Sequence, residues 1–376
     1  MRKTFTAVAG SAVALGVVVA TGGPAWAATA TQVPVASTGF FGGFLGVDAV
    51  SPSDGWAVGG NGNGVIQRFN GTRWSVFPSP DLLGGAANSW ADLSGVDATS
   101  AGSAVAVGNT TAASGGGKSA VALGWNGTAW SRQALPKPAG MDTELAAVKA
   151  FSASDAWAVG QTASTGSTFR KTLAMHYNGT SWSAVPTPSA GTRTNFLTAV
   201  DGVSTRDVWA VGYSLNLPYG NRIRQSQILH WDGTAWTQVA SPNNGSTFLY
   251  DVAALSATDA WAVGVGTSGA ALVVRWNGTS WQAVAAPPLV NLRGVTARSA
   301  TDVWVTGAAA DDASKPALAH WNGTTWTVTP VTVTGGVGIP LLGAITTADA
   351  TTEWAVGSQW DGTTGQSSSI AFRVVG

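Results

Sequence analysis

The sequence predicts an all-β fold, a seven-bladed β-propeller with four antiparallel strands per blade, on three observations. The tetrapeptide Trp-Ala-Val-Gly, or a close variant, recurs seven times, with its first position at Trp56, Val105, Trp157, Trp209, Trp261, Trp304 and Trp354. A second signal, aromatic-Asn/Asp-Gly-Thr-x-Trp, follows the first six copies and ends at Trp74, Trp130, Trp182, Trp236, Trp281 and Trp326. No window holds a sustained 3.6-residue apolar period, so helices should be nearly absent. Units of 40–50 residues with four short strands each are the sequence signature of propeller blades.

Repeat four shows the expected elements in order. An apolar strand runs over 197–203, Ser204-Thr205-Arg206-Asp207 turns the chain, and 208–212 is the second strand. A variable loop from Tyr213 reaches Gln227, and 228–231 is the third strand. Asp232-Gly233 reads as a type I′ hairpin turn into a fourth strand over 234–239. Asn-Gly-Thr is also a glycosylation sequon, but Asp232 in place of Asn favours turn chemistry, with Gly taking the positive φ. The aspartates two residues before the repeat Trp (Asp54, Asp155, Asp207, Asp259, Asp302) are expected to bond backbone N–H groups of their turns. The seventh copy stops at its third strand, 370–373, and the missing fourth strand is expected from Thr31-Gln32-Val33-Pro34. Closure of that kind removes the edge strands that invite aggregation.

Residues 1–27 read as an export signal: Arg2 and Lys3, an apolar run over 5–20, and Ala25-Trp26-Ala27 as a small-x-small cleavage site. Residues 28–376 are then one secreted domain. Without Arg2 and Lys3, 17 of the 19 basic residues remain against 19 acidic ones, and only 10% of the chain is charged. That composition lacks the basic field that nucleic acid or an anionic membrane requires. There is no Cys, so no disulfide can staple the ring. A closed ring needs no second copy, and a monomer is expected.

Of the 18 Trp that follow the signal, 16 fall on repeat positions and read as packing between blades. Function is expected on the face carrying the variable second-to-third and blade-to-blade loops, because loops on a rigid scaffold usually bear it. Trp90 and Trp360 break the repeat phase in such loops. The 213–227 loop holds Tyr213, Tyr219, Arg222 and Arg224, repeat six adds Asp311 and Asp312, and Phe40, Phe41 and Phe44 lead into repeat one. Aromatic residues beside Arg or Asp fit a partner-binding patch.

Catalytic patterns fail one by one. The two Glu, Glu144 in a variable loop and Glu353 in an opposite-face turn, cannot flank one glycosidic bond. His176, His230 and His320 share one repeat position with Arg68, Gly124 and Arg275, so they are dispersed around the ring and share no metal. Gly117-Lys118-Ser119 lacks the first Gly and the helix of a phosphate loop. No cofactor motif occurs. One innermost-strand position reads Asp48, Asp97, Lys149, Asp201, Ala253, Thr296 and Thr346, either a mutually paired polar ring or a cation site.

With Trp56-Ala57-Val58-Gly59 and its copies, and Asn-Gly-Thr-x-Trp, the chain after the signal resembles the dispase autolysis-inducing protein family of filamentous soil bacteria. The resemblance implies a non-enzymatic protein that promotes self-cleavage of extracellular, thermolysin-like neutral metalloproteases. It also implies a glutamine donor for transglutaminase, with Gln161, Gln225, Gln227, Gln359 and Gln366 in or beside variable loops. The competing class is a glycan-binding propeller, in which Trp90, Trp360 or Tyr219 would stack on sugar. A lectin would be expected to repeat its binding residues from blade to blade.

Overall fold

The structure, a computed structural model, describes residues 28–37, 43–84, 89–113, 117–215, 223–242, 245–334 and 338–376. The expected signal, Phe40, Phe41, Tyr219 and Arg222 lie outside the described residues. Among the described residues there is no α-helix, and no helix is long and apolar enough to cross a membrane.

Each repeat folds as an antiparallel meander. In repeat four the strands Thr194–Ser204, Asp207–Leu215, Arg224–Trp231 and Trp236–Val239 pair in chain order. Five sheets have four strands, and an eight-stranded sheet joins repeats one and two where Gly60 and Gly62 pair with Asp92 and Ala91. The Trp-Ala-Val stretch of the second strand is buried on both faces, in Trp209, Ala210 and Val211 for example. The Gly that ends the motif is forced by close approach. At Gly212 a Cβ would collide with the carbonyl oxygen of Phe196 on the first strand, and at Gly264 with that of Phe248.

The first strands Gly43–Ser51, Trp90–Ser100, Met141–Ser152, Thr194–Ser204, Phe248–Ser256, Leu289–Ser299 and Ile339–Thr347 contact one another in succession, and the last returns to the first. Thr29–Gln32 pairs with Gln366–Val375 and so supplies the outer strand of repeat seven, two residues before the expected segment. The chain then crosses to repeat one, where Trp74 N–H donates to Pro34 and Gln67 Nε2 donates to Ala36.

The tryptophans form one recurring contact between repeats. The Trp209 ring lies 4.2 Å from His230 of its own third strand. Its other neighbours are Trp276 at 4.9 Å and Trp281 at 5.1 Å, both from repeat five. Trp281 meets it edge-on at 88°, the arrangement favoured by the aromatic quadrupole. Trp157 repeats this with His176, Trp231 and Trp236. Trp56 and Trp261 carry Arg68 and Arg275 over the ring instead, at 5.0 Å and 4.8 Å.

The repeat aspartates complete this arrangement, which corrects the sequence expectation. Asp207 accepts from His230 Nε2 at 2.7 Å, Asp155 and Asp302 pair with His176 and His320, and Asp54 and Asp259 make two-pronged bonds to Arg68 and Arg275. The turn N–H groups are taken by the preceding Ser: Arg206 N–H donates to Ser204 Oγ and Ser53 N–H to Ser51 Oγ. A serine hydroxyl reaches its own turn, while the longer carboxylate reaches across to the third strand. In repeat two the Trp, the Asp and its partner are replaced together by Val105, Ser103 and Gly124.

The Asn-Gly-Thr turn also differs from expectation. Trp231 pairs with Trp236, leaving a four-residue loop in which only Gly233 has positive φ, at 92°. Type I′ would need two such residues. Asp232 Oδ1 accepts from Thr234 N–H, Thr234 Oγ1 and Ala235 N–H, as Asn70 does from Thr72 and Arg73. Side-chain capping therefore holds the loop without a second left-handed residue.

Around the central channel, polar side chains bridge every pair of neighbouring repeats. Asp48, Asp97 and Asp201 accept from the N–H of Ala98, Ala150 and Ala254, one repeat further on. Lys149 lies 3.4 Å from Asp97 and 3.3 Å from Asp201. Asp251 accepts from Val295 N–H, Thr296 bonds Thr347, and Thr346 donates to Asp48. The innermost position is thus a mutually paired ring except at Ala253, where Asp251 two residues earlier makes the bridge. Glu353, expected in a turn, lies within the strand Thr352–Asp361, fully buried against Arg298 of repeat six.

Two measurements follow from this packing. Trp209→Ala should cost about 3–5 kcal/mol in equilibrium urea unfolding, and a loss below about 1 kcal/mol would contradict the contact described. Burial and the neighbouring Asp97 charge push Asp48 up to about 7, from 3.8 when unfolded. Folding therefore favours the protonated form, and this contribution is intact below about pH 4 and lost as pH rises through 7. Asp48→Asn should lose less melting temperature than the parent between pH 5 and 8. Parallel pH profiles would count against that ionisation.

Candidate functional site: the loop-side mouth of the channel

The first strands carry a bulge near one end. In repeats one to five and seven the register skips one residue: Leu45, Ser94, Ala146, Thr198, Tyr250 and Gly343. An extra residue re-aims its side chain, and these residues line the central cavity at the variable-loop side. In repeat six the register skips from Val290 to Gly294, Asn291 is left-handed with φ 53°, and Arg293 lines the cavity. The mouth therefore has small residues on one arc and Tyr250 with Arg293 on another.

Around that second arc the aromatics converge. Phe196 stacks on Tyr213 at 4.7 Å, Tyr213 meets Phe248 edge-on at 4.8 Å, and Phe248 lies parallel to Tyr250 at 5.9 Å. Arg224 sits 4.2 Å over Phe248, and Arg293 sits 4.1 Å over Tyr250. Burial raises the Tyr213 hydroxyl pKa, opposed by the nearby Arg224 and Arg170 charges. The neighbouring arc is acidic but internally neutralised. Glu144 accepts from Lys118 at 2.7 Å, from Arg170 at 2.6 Å and from Gln161 at 2.9 Å.

Several expected loop residues are strand residues. Tyr213 lies within Asp207–Leu215 and Arg224 begins Arg224–Trp231, so the two are paired-strand neighbours of the mouth rather than loop contacts. The polar Ser214, Ser226 and Gln227 are buried there, and the ladder satisfies their backbone, which is why polarity misread as loop. Glu144 lies in Met141–Ser152 for the same reason. Trp90 starts Trp90–Ser100 and is 41% exposed, with its indole N–H on Asp92 at 3.0 Å. Trp360 lies in Thr352–Asp361 beside Ile339 and is 47% exposed.

Asp312 caps its own turn, accepting from Ser314 N–H and Oγ, and pairs with Lys315; Asp311 beside it is exposed. Among the glutamines, Gln227 is 1% exposed and its amide donates to Pro188, and Gln359 is 7% exposed. Neither can be presented to an enzyme, which removes both from the expected donors. Gln161, Gln225 and Gln366 are partly exposed. Sequence reasoning missed Phe196, Phe248, Tyr250 and Arg293. Their signal was a departure from the repeat consensus at and beside the bulge position.

No protein-family profile and no curated protein sequence matches the chain. Solved structures do match. YCF48 bound to D1 peptide is 14% identical with TM-score 0.58, covering 93% of this chain and 97% of that one. The WD40 β-propeller domain of Doa1 is 11% identical with TM-score 0.54, over 90% and 96%. A protein of unknown function from Dyadobacter fermentans is 12% identical with TM-score 0.53, over 93% and 99%. The fold is a β-propeller. At these identities the likeness concerns the propeller fold alone. Among the described residues of this propeller, no group of three His, Cys, Asp or Glu side chains is placed to hold a metal ion.

Proposed function

We propose that this chain is a secreted, non-enzymatic seven-bladed propeller that binds other extracellular proteins through the loop-side mouth of its channel. The arginine-capped aromatic cluster of Phe196, Tyr213, Phe248 and Tyr250 carries this reading. It is built from residues that the other repeats lack, so it offers one protein-sized patch. A sugar binder gaining avidity from repetition would carry the pocket in every blade. YCF48 is bound to D1 peptide, and the present reading likewise gives this propeller a peptide-bearing partner. The expected export signal supports an extracellular setting. The family resemblance supports a thermolysin-like neutral metalloprotease as partner, whose autolysis the propeller promotes, and a role as transglutaminase glutamine donor.

Incubating the purified protein with thermolysin and following both chains by gel electrophoresis tests the first role. The expected result is a shortened thermolysin lifetime, with no cleavage activity of the propeller alone. An unchanged lifetime, or strong binding on a glycan array, would overturn the reading. Trp360→Ala should weaken the effect at unchanged melting temperature; a cooperative loss of fold would make Trp360 a packing residue. Transglutaminase labelling with an amine probe should reach Gln161, Gln225 or Gln366 and spare Gln227 and Gln359. Label on either buried glutamine in the folded protein would contradict the burial argument.

A further inference from the structure

We propose that Arg224 and Arg293 form a carboxylate clamp at the channel mouth that takes an acidic peptide segment, which rests on the protein-binding reading above. Both guanidinium groups lie over an aromatic ring, Arg224 over Phe248 and Arg293 over Tyr250. The two rings stand two residues apart on one strand and lie 5° from parallel. Cation–π contact fixes the plane of a guanidinium while leaving its in-plane donors unused.

Among the described residues, the Nε donors of both arginines have no acceptor. The Nε of Arg224 and the Nε of Arg293 are buried without a hydrogen-bond partner. No carboxylate pairs with either among the described residues, whereas Arg68, Arg170, Arg275 and Arg298 each have one. A buried donor left unpaired costs about 1–3 kcal/mol, and here two occur over neighbouring rings. The nearest acidic arc does not compensate, because Lys118 and Arg170 already occupy Glu144.

The backbone is also bent to produce this arrangement. Asn291 is one of two non-glycine residues with positive φ among the described residues, and it opens the long bulge that delivers Arg293 into the cavity. Strain of this kind persists where surrounding structure maintains it, commonly at binding sites. A carboxylate matches the planar fork of each arginine with two parallel bonds. The exposed apolar Ile223 and Leu45, beside Arg224 and on the mouth, favour a peptide over a bare anion.

The test uses fluorescein-labelled hexaglutamate in an anisotropy titration at low salt, with hexaglutamine as the neutral control. Hexaglutamate should bind and hexaglutamine should not. Arg224→Gln/Arg293→Gln should weaken hexaglutamate at least about tenfold at unchanged melting temperature. If that variant unfolds, Arg224→Lys/Arg293→Lys keeps the charge but not the fork and should still weaken binding. Equal binding by a folded variant, equal binding of hexaglutamine, or displacement by an equal concentration of inorganic phosphate would overturn the clamp. A double variant that loses hexaglutamate but still shortens thermolysin lifetime sinks the clamp as partner site and leaves the functional reading standing. A parent protein that binds hexaglutamate and leaves thermolysin untouched does the reverse.

Discussion

Everything in this molecule depends on one indole-centred contact. A second-strand Trp, such as Trp209, is held by His230 and Asp207 of its own repeat and by Trp276 and Trp281 of the next. Without disulfides, the repeats must be joined by apolar burial, and an indole supplies the largest apolar area of any side chain. The polar partner fixes the orientation of the ring, since an Asp bonded to His or Arg cannot easily turn away. The consequence is a rigid ring with its second-strand tryptophans withdrawn from solvent.

A second device acts on the inner circumference. Asp48, Asp97, Lys149, Asp201, Asp251, Thr296 and Thr346 each reach the neighbouring repeat. Buried carboxylates are costly, and this is visible in Asp48 and Asp251, both pushed up to about 7 chiefly by burial. Bonds to backbone N–H groups one repeat away offset part of that cost and set the register between repeats. With scaffold functions confined to the turn side and the channel wall, the bulge positions at the loop-side mouth are free to vary. They run from Gly343 to Arg293 while the strands on either side of each bulge stay paired.

Repetition made the scaffold legible in the sequence. Trp56 and its copies, the Asn-Gly-Thr turn, and the outer strand supplied by the N-terminal segment are all periodic or the completion of a period. What sequence could not supply was the partner of each group. Asp207 and His230 were both visible as repeat positions, yet their pairing depends on strand register, which places Trp209 opposite His230. The aromatic cluster failed for another reason. Phe248 and Tyr250 sit in a strand that is otherwise ordinary, and Arg224 reads as a loop residue because its neighbours are polar. Only the bulge and the closed ring bring these residues to one mouth. Gln227 shows the converse error, a polar residue near a loop whose side chain faces the interior.

The central claim is a division of labour between a tryptophan-held turn side and a recognition surface at the loop-side mouth. Hydrogen–deuterium exchange of the propeller with and without an inhibited thermolysin-like protease tests it most directly. The account predicts added protection confined to the loop side, in segments 194–197, 213–215, 224–227, 246–251, 290–294 and 358–360. Protection centred instead on the Asn-Gly-Thr turns at 70–73, 178–181 and 232–235 would contradict it.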